Sequence, residues 1–337
     1  MQHALRICLP NSQYFKHNFT TLKVHHLDNG FSSEKPIVLT IGTFDGVHAG
    51  HRSVISVLAE KAELIGGETA LLTFDPHPRM VLYPENHGLK LLNTIEEKRS
   101  LLANAGLDNL IIAHFDLDLA RLTPLEYVRG LLAEGIKPKE VVIGDDHRFG
   151  RNREGAFDDL HEMGVMFGFG VTALDAKHVK AVRVSSTKVR GAIEEGNVRF
   201  AGELLGRPFP LSGVVVKGDQ IGRTLGFPTA NIELKDELKI VPGNGAYAVW
   251  GRVEGKEWMA GMLNIGKRPT LNSIKSTIEL HFIGYEGDCY GKTIDVRFID
   301  KLRNEKKFSS VNELSAALKK DKITTLDILD KSKRPEL

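Results

Sequence analysis

The stretch GTFDGVHAGH, residues 42–51, sets His48 and His51 three positions apart among Gly42, Gly46 and Gly50. Imidazoles at that spacing lie on one side of the first turn of a helix beginning near Ala49. The free N–H groups and positive end of such a helix make a ready anion site. Glycines beside it let phosphate oxygens approach the main chain without meeting a Cβ. With no serine or cysteine nucleophile in the stretch, the pair suits stabilisation of charge on a transferred phosphoryl group. A metal pair or a structural turn are the competing readings, but metal-binding histidines on a helix more often stand at i and i+4 with a third ligand.

Five other groups of residues could do chemistry. Asp75-Pro76-His77-Pro78 follows an apolar run, and its prolines imply a stiff loop rather than a helix, with His77 either a contact or part of a rigid connection. Gly144-Asp145-Asp146 ends another such run, where Asp146 meets a ligand or caps a turn. Ser185-Ser186-Thr187 precedes a helix-like segment carrying Arg190; hydroxyls and a guanidinium fork there would grip phosphate oxygens, whereas a plain serine cap would explain Ser186 but not Arg190. Lys217–Asn231 is a loop with Gly218, Gly222 and Gly226 that could fold over phosphates, a common pattern when it stands alone.

In Thr277-Ile278-Glu279-Leu280-His281-Phe282 the alternation puts Glu279 on the polar face of a strand with Thr277 and His281. A carboxylate so held could take the proton of an attacking hydroxyl, or simply be a solvated strand glutamate. His281 reads as structural or solvent-facing.

The elements that must position these residues follow from apolar patterning. A chain of 337 residues implies two domains, each able to bury its own core. Runs at 37–43, 69–74, 109–115, 140–144 and 169–174 read as buried strands, and 50–65, 95–105, 123–134 and 155–166 as helices. Thr123-Pro124-Leu125-Glu126 opens one of these helices with a capping box. Alternating strands and helices give an α/β fold, a doubly wound parallel sheet that binds ligands at the carboxyl ends of its strands, where residues 42–51 sit. After a short helix at 197–205, Gly206-Arg207-Pro208-Phe209-Pro210 reads as an inter-domain join. Strands at 211–217, 245–253, 257–265, 276–284 and 291–301 then suggest a small closed antiparallel β-barrel. Ser310-Val311-Asn312-Glu313 forms a second capping box, opening a C-terminal helix over the barrel.

Composition narrows the function. A net charge of +2, with no basic run interleaved with aromatics, argues against nucleic acid as a partner. No apolar stretch is long enough to span a bilayer and the start, MQHALRICLP, lacks a signal core, so the expectation is a cytoplasmic protein with no membrane partner. Cys8 and Cys289, far apart, suggest neither a disulfide framework nor a zinc site.

FDGVHAGH resembles the HxGH signature of nucleotidyltransferases, and the fuller match is similar to the adenylyltransferase module of bacterial bifunctional riboflavin kinase/FAD synthetases. Residues 73–79, 144–150 and 185–190 match in the family's order, and Gly226-Phe227-Pro228-Thr229-Ala230-Asn231 resembles its riboflavin kinase signature. Residues 264–270 and 287–292 and the stretch from Phe298 to Phe308 add to a resemblance running from about residue 37 to residue 325. It implies a nucleotidyltransferase domain over residues 1–200 and a kinase domain over 201–337, making FMN from riboflavin and then FAD from FMN.

By this resemblance His48, His51 and Glu279 are catalytic. Gly42, Phe44, Asp45, Gly46, Ser185, Ser186, Thr187 and Arg190 bind nucleotide in one domain, and Gly218, Arg223, Gly226, Thr229 and Asn231 in the other. Thr229 and Asn231 also hold Mg²⁺ with ATP, which suits oxygen ligands. Asp146, His147 and Arg268 are flavin contacts or of open role; His147 stands where the family often carries phenylalanine, and Lys267 where it often carries threonine. Two rivals differ in class. Another HxGH transferase, a cytidylyl- or pantetheine-phosphate adenylyltransferase acting on a different phosphorylated acceptor, leaves the barrel unexplained; a flavin-binding regulator with a degenerate catalytic centre would not carry His48, His51, Thr229, Asn231 and Glu279 together, and near-neutral charge disfavours a barrel that binds nucleic acid.

Overall fold

A computed structural model of the chain describes residues 21–85, 88–144, 147–174, 184–218, 226–269 and 274–335. The run Ile37–Ile41 is buried at every position, as a strand covered on both faces must be. In chain order the first half runs β1 (Lys23–His26), β2 (Ile37–Ile41), α1 (Ala49–Leu64), β3 (Glu68–Asp75), α2 (Pro78–Leu82), α3 (Ile95–Asn104), β4 (Asn109–His114), α4 (Leu117–Arg121) and α5 (Pro124–Tyr127). A π-helical stretch, Val128–Ile136, continues α5, and β5 (Glu140–Ile143), α6 (Phe157–Phe167) and β6 (Gly170–Ala173) follow.

The six strands form one sheet in the order β1-β4-β3-β2-β5-β6, every described pairing parallel. The order reverses at β2, which has β3 on one side and β5 on the other, the topological switch point where doubly wound sheets bind ligands. At Ile41 the chain leaves β2 directly into residues 42–51.

The Thr123 capping box forms in full: Glu126 N–H donates to the Thr123 hydroxyl and Thr123 N–H to the Glu126 carboxylate. One expectation needs correction, and one strand had no sequence signal. Pro78 starts the short helix α2 rather than continuing a loop, because proline's fixed φ suits a first helical position. The stretch before residue 30, without an evident pattern, contains β1, which pairs with β4 at the sheet edge.

The second half opens with α7 (Ser186–Glu194) and α8 (Val198–Leu205). Then come β7 (Phe209–Val216), β8 (Ala230–Glu233), β9 (Gly245–Val253), β10 (Met259–Pro269), β11 (Ile274–Phe282), β12 (Thr293–Arg303) and α9 (Val311–Asp330). The strands close into a barrel in the order β10-β11-β8-β7-β12-β9, and closure removes both exposed edges. Leu211, Val249, Leu263, Leu280, Val296 and Phe298 fill its core, joined by Val189 and Ile193 of α7 and Leu204 and Leu205 of α8. Helix α9 packs on β9, β10 and β12. Its start differs in detail from a capping box: the Ser310 hydroxyl accepts the Glu313 N–H, but the Glu313 carboxylate accepts from the N–H and hydroxyl of Ser309.

The chain packs as two compact units. One comprises residues up to Thr43, Val54–Val81 and Arg99–Leu174; the other comprises Phe44–Ser53, Leu82–Lys98 and the described residues after Leu174. The histidine loop therefore belongs to the same unit as the barrel.

Candidate active sites

The histidine loop is built around stacked rings. His48 precedes α1, and its carbonyl accepts the Arg52 N–H while its Nδ1 accepts the His51 N–H at 3.3 Å. An imidazole thus does the work of an N-cap side chain. With Nδ1 accepting, the proton of the neutral ring sits on Nε2, which is left as a donor. The His48 and His51 rings stack with centroids 3.6 Å apart, and Phe44 stacks on the other side of His51 at 4.3 Å. Gly50 makes this arrangement fit: a Cβ there would lie 3.3 Å from both Cε1 and Nδ1 of His48.

Burial and the positive charges of Arg52 and Arg207 push the His48 pKa down to about 4, and burial holds His51 well below the ordinary imidazole value. Both rings are neutral at pH 7. The His51 Nδ1 is buried without a hydrogen-bond partner among the described residues. Such an orphaned polar atom has the character of a group kept for a ligand.

Behind the rings, Asp45 is 2% exposed and accepts from the N–H groups of Leu92 and Asn93. Arg190 donates to the same carboxylate at 2.5 Å and to the Lys90 carbonyl at 2.8 Å. The Ser186 hydroxyl donates to the Asp45 carbonyl, while Ser185 caps α7 by accepting the Lys188 N–H. Ser185 and Thr187 are exposed at that helix start. Asp45, Ser186 and Arg190 therefore tie α7 to the histidine loop. Gly46 has φ +91°, and a Cβ there would come within 2.7 Å of Leu92 Cδ1; the protein itself crowds this glycine.

In the barrel, Glu279 of β11 stands directly opposite Asn231 of β8 and opposite Asn264 of β10. Directly paired residues share a face. Gly218 packs against the side chain of Asn231, leaving no room for a Cβ. His281, two residues beyond Glu279, is buried rather than solvent-facing, and its Nδ1 bonds the Pro228 carbonyl at 2.8 Å. That bond fixes the segment leading to Thr229. Thr229 and Asn231 are neutral oxygen donors two positions apart, a donor set that fits a magnesium ion whose other ligands are phosphate and water. Among the described residues no cluster of His, Cys, Asp and Glu could hold a metal.

The remaining candidates have contacts of their own. Gly42 donates its N–H to the Leu72 carbonyl at the end of β2. The His77 Nδ1 accepts the Arg79 N–H, and His147 stacks near Phe149 with centroids 6.2 Å apart. Gly226 turns with φ +77° before the Phe227-Pro228-Thr229 segment. Asp146 and Arg223 lie outside the described residues, as does the Arg268 side chain; the Arg268 backbone pairs with Lys275 in β10 and β11.

Three residues of this unit gave no motif in the sequence: Arg52, Arg207 and Lys239. Arg207 donates to the carbonyls of Gly46 and Val47, and Arg52 to that of Leu205. Lys239 donates to Glu97 and to the Leu92 carbonyl. Their partners lie 142 to 161 positions away in the chain, so no local pattern could mark them.

A nucleotide-type parallel sheet, a buried histidine loop and a closed barrel with a paired Asn and Glu define a two-module transferase. The sequence agrees: residues 31–188 match the FAD synthetase family and residues 205–329 the riboflavin kinase family. The chain belongs to the family of bifunctional riboflavin kinase/FMN adenylyltransferases of flavin cofactor biosynthesis.

It is 37% identical over 310 residues to the Escherichia coli (strain K12) bifunctional riboflavin kinase/FMN adenylyltransferase, covering 92% of this chain and 97% of that one. The Pseudomonas fluorescens relative of the same name is 36% identical, covering 88% and 94%. In fold, the chain is similar to the crystal structure of a macrolide-efflux protein from Streptococcus pneumoniae, with a TM-score of 0.81 and 29% identity, covering 91% of this chain and 99% of that one. No helix among the described residues of this chain is long and apolar enough to cross a membrane.

Proposed function

We propose that this chain phosphorylates riboflavin to FMN with ATP and then transfers an adenylyl group from a second ATP to FMN, with the division of labour carried by residues 201–337 and 1–200. The observation that carries this reading is the pairing of two separate constellations, Glu279 opposite Asn231 and His48 stacked on His51, in a chain matching both family models.

In the kinase step the Glu279 carboxylate accepts the proton of the ribityl 5′-hydroxyl as its oxygen attacks the γ-phosphorus of ATP, and ADP leaves. Thr229 and Asn231 would hold Mg²⁺, which when bound neutralises charge on the ATP phosphates. Gly218, Arg223 and Gly226 belong to the loop that meets those phosphates.

In the adenylyl step the FMN phosphate, already ionised at neutral pH, attacks the α-phosphorus of ATP and pyrophosphate leaves, so no general base is needed. His48 and His51 meet the developing charge as neutral donors, since both are held uncharged. Ser185, Thr187 and the helix start of α7 bind phosphate oxygens, and Arg190 and Asp45 hold that helix against the loop. Asp146, His147 and Arg268 are assigned to the flavin side. Because ATP and flavins are small intracellular molecules, we place the reactions in the cytoplasm.

The test is chromatography of flavins after incubating the full chain with riboflavin, ATP and Mg²⁺, beside a reaction started from FMN. FMN followed by FAD supports the reading. Absence of FAD from supplied FMN would overturn the adenylyltransferase assignment, and absence of FMN from riboflavin the kinase assignment.

A further inference from the structure

The loop that carries His48 is strained. Phe44, Gly46 and Val47 have φ of 45°, 91° and 37°. Only the glycine is at ease there, and a β-branched valine at positive φ is a true outlier. Such residues persist only where their surroundings over-determine them.

Two guanidiniums supply the constraint. Arg207 spans the strained turn, donating Nη2 to the Gly46 carbonyl at 2.6 Å and Nη1 to the Val47 carbonyl at 3.0 Å. Arg52 donates Nη1 to the Leu205 carbonyl at 2.7 Å, satisfying the end of α8, and reaches Val47 at 3.4 Å. Gly206, with φ +66°, leaves the space that the Arg52 guanidinium fills.

Neither arginine has a carboxylate within 4.0 Å among the described residues, and the Arg207 Nε is buried without a partner. Burial, with the nearby charges of Arg52 and Arg297, pushes the Arg207 pKa down to about 9. Unpaired buried cations are expensive, and an apolar side chain of similar length would avoid the cost. A purely structural filler would not be built this way. What the two cations add is a fork that fixes two carbonyls at once and a fixed positive charge beside His48 and His51.

We infer that Arg207, seconded by Arg52, is a positioning residue for adenylyl transfer: it locks the turn before His48 and supplies the positive field in which the two imidazoles work. This rests on the assignment of FAD formation to His48 and His51. Arg207 lies beyond the stretch matching FAD synthetase and inside the stretch matching riboflavin kinase, so the histidine loop is set by a residue that sequence allots to the other activity. The charged groups facing the histidines are Asp45, Arg52, Lys98 and Arg207. Removing one of the three cations lets the imidazole values rise toward their ordinary range.

The experiment is steady-state kinetics on full-length Arg207→Met and Arg207→Lys beside the parent chain, following FAD formation from FMN and FMN formation from riboflavin in the same preparations. Arg207→Met is expected to lower kcat for FAD formation about tenfold to a hundredfold through misplacement of the loop. Its KM for FMN should change little, and FMN formation should stay within about twofold. Arg207→Lys, which keeps the charge but loses the fork, should fall between. Because burial still depresses both imidazoles, the acid limb of FAD formation in the Met variant should shift upward only part of the way toward the ordinary imidazole value, a shift that the Lys variant lacks. Unchanged FAD formation in a folded Met variant would overturn the proposal, as would equal loss of both activities or Met and Lys variants with the same pH profile. If the parent chain makes no FAD from FMN, the assignment of the histidines fails instead.

Discussion

Asn231 and Glu279 are direct cross-strand partners, one on β8 and the other on β11. The pairing sets the proposed metal-and-phosphate ligand and the proposed base on one face of a closed barrel, at the Cβ separation of about 5 Å typical of such pairs. The barrel closure fixes that spacing, since neither strand is free to slip in register.

Glu279→Gln keeps the shape of the side chain and removes its basicity. FMN formation should fall about 10²–10⁴-fold, while FAD formation from supplied FMN continues. A folded variant that loses both would argue against Glu279 as a base confined to the kinase step.

Gly218→Ala forces a methyl group into the Asn231 side chain. Displacement of Asn231 should raise the KM for Mg-ATP in FMN formation about tenfold, and FAD formation should not change. Titration with ATP at saturating riboflavin reads the effect directly; an unaltered KM would mean that Asn231 is not a ligand in this step.

His48→Ala and His51→Ala each remove one ring of the stack. FAD formation should drop about 10²–10³-fold, with FMN formation intact. Loss of FMN formation as well would contradict the separation of the two steps.

The buried His48 makes stability depend on pH. Its value is depressed from 6.5 to about 4, so between those limits the unfolded chain binds a proton that the folded chain refuses. Stability therefore rises as pH rises from about 4 to 6.5 and this contribution is level above, the span being worth ~3 kcal/mol for a shift of this size. Denaturant melts of the parent and His48→Ala at pH 5 and pH 7.5 should show a smaller pH difference in the variant. An equal or larger difference would mean that His48 is not held neutral.

Much of the fold is legible because parallel strands buried on both faces read as unbroken apolar runs: Pro36 is followed by Ile37–Ile41, and each such run is a strand within a residue or two. Short elements lack that signal. Lys23–His26 is a strand only because β4 lies beside it, and Ala230–Glu233 is too short to show a period. The same holds for the site. Histidines and glycines in one decapeptide announce themselves, as does an alternating strand with one carboxylate. That Arg190 meets Asp45, and that Arg207 holds Gly46 and Val47, depends on contacts across 145 and about 160 positions. His281 is a simpler case: alternation set it on the polar face, yet the Pro228 carbonyl and the Phe227 ring cover it there.

Lys239 and its neighbours have a consequence for anyone wishing to divide the chain. Leu91 exchanges backbone bonds with Leu238 and Ile240, Lys239 reaches Glu97, and Leu92 shares one oily seam with Leu204, Leu205 and Phe209. Severing the chain at residue 200 would separate two strings of motifs but strip that seam from both fragments. A lone amino-terminal piece would lose the wall against which its histidine loop rests, and a lone barrel would carry a greasy scar prone to clumping. The segment that carries Leu91 and Leu92 therefore cannot be parted from the barrel without exposing the apolar core they share, whatever the order of the motifs along the chain suggests.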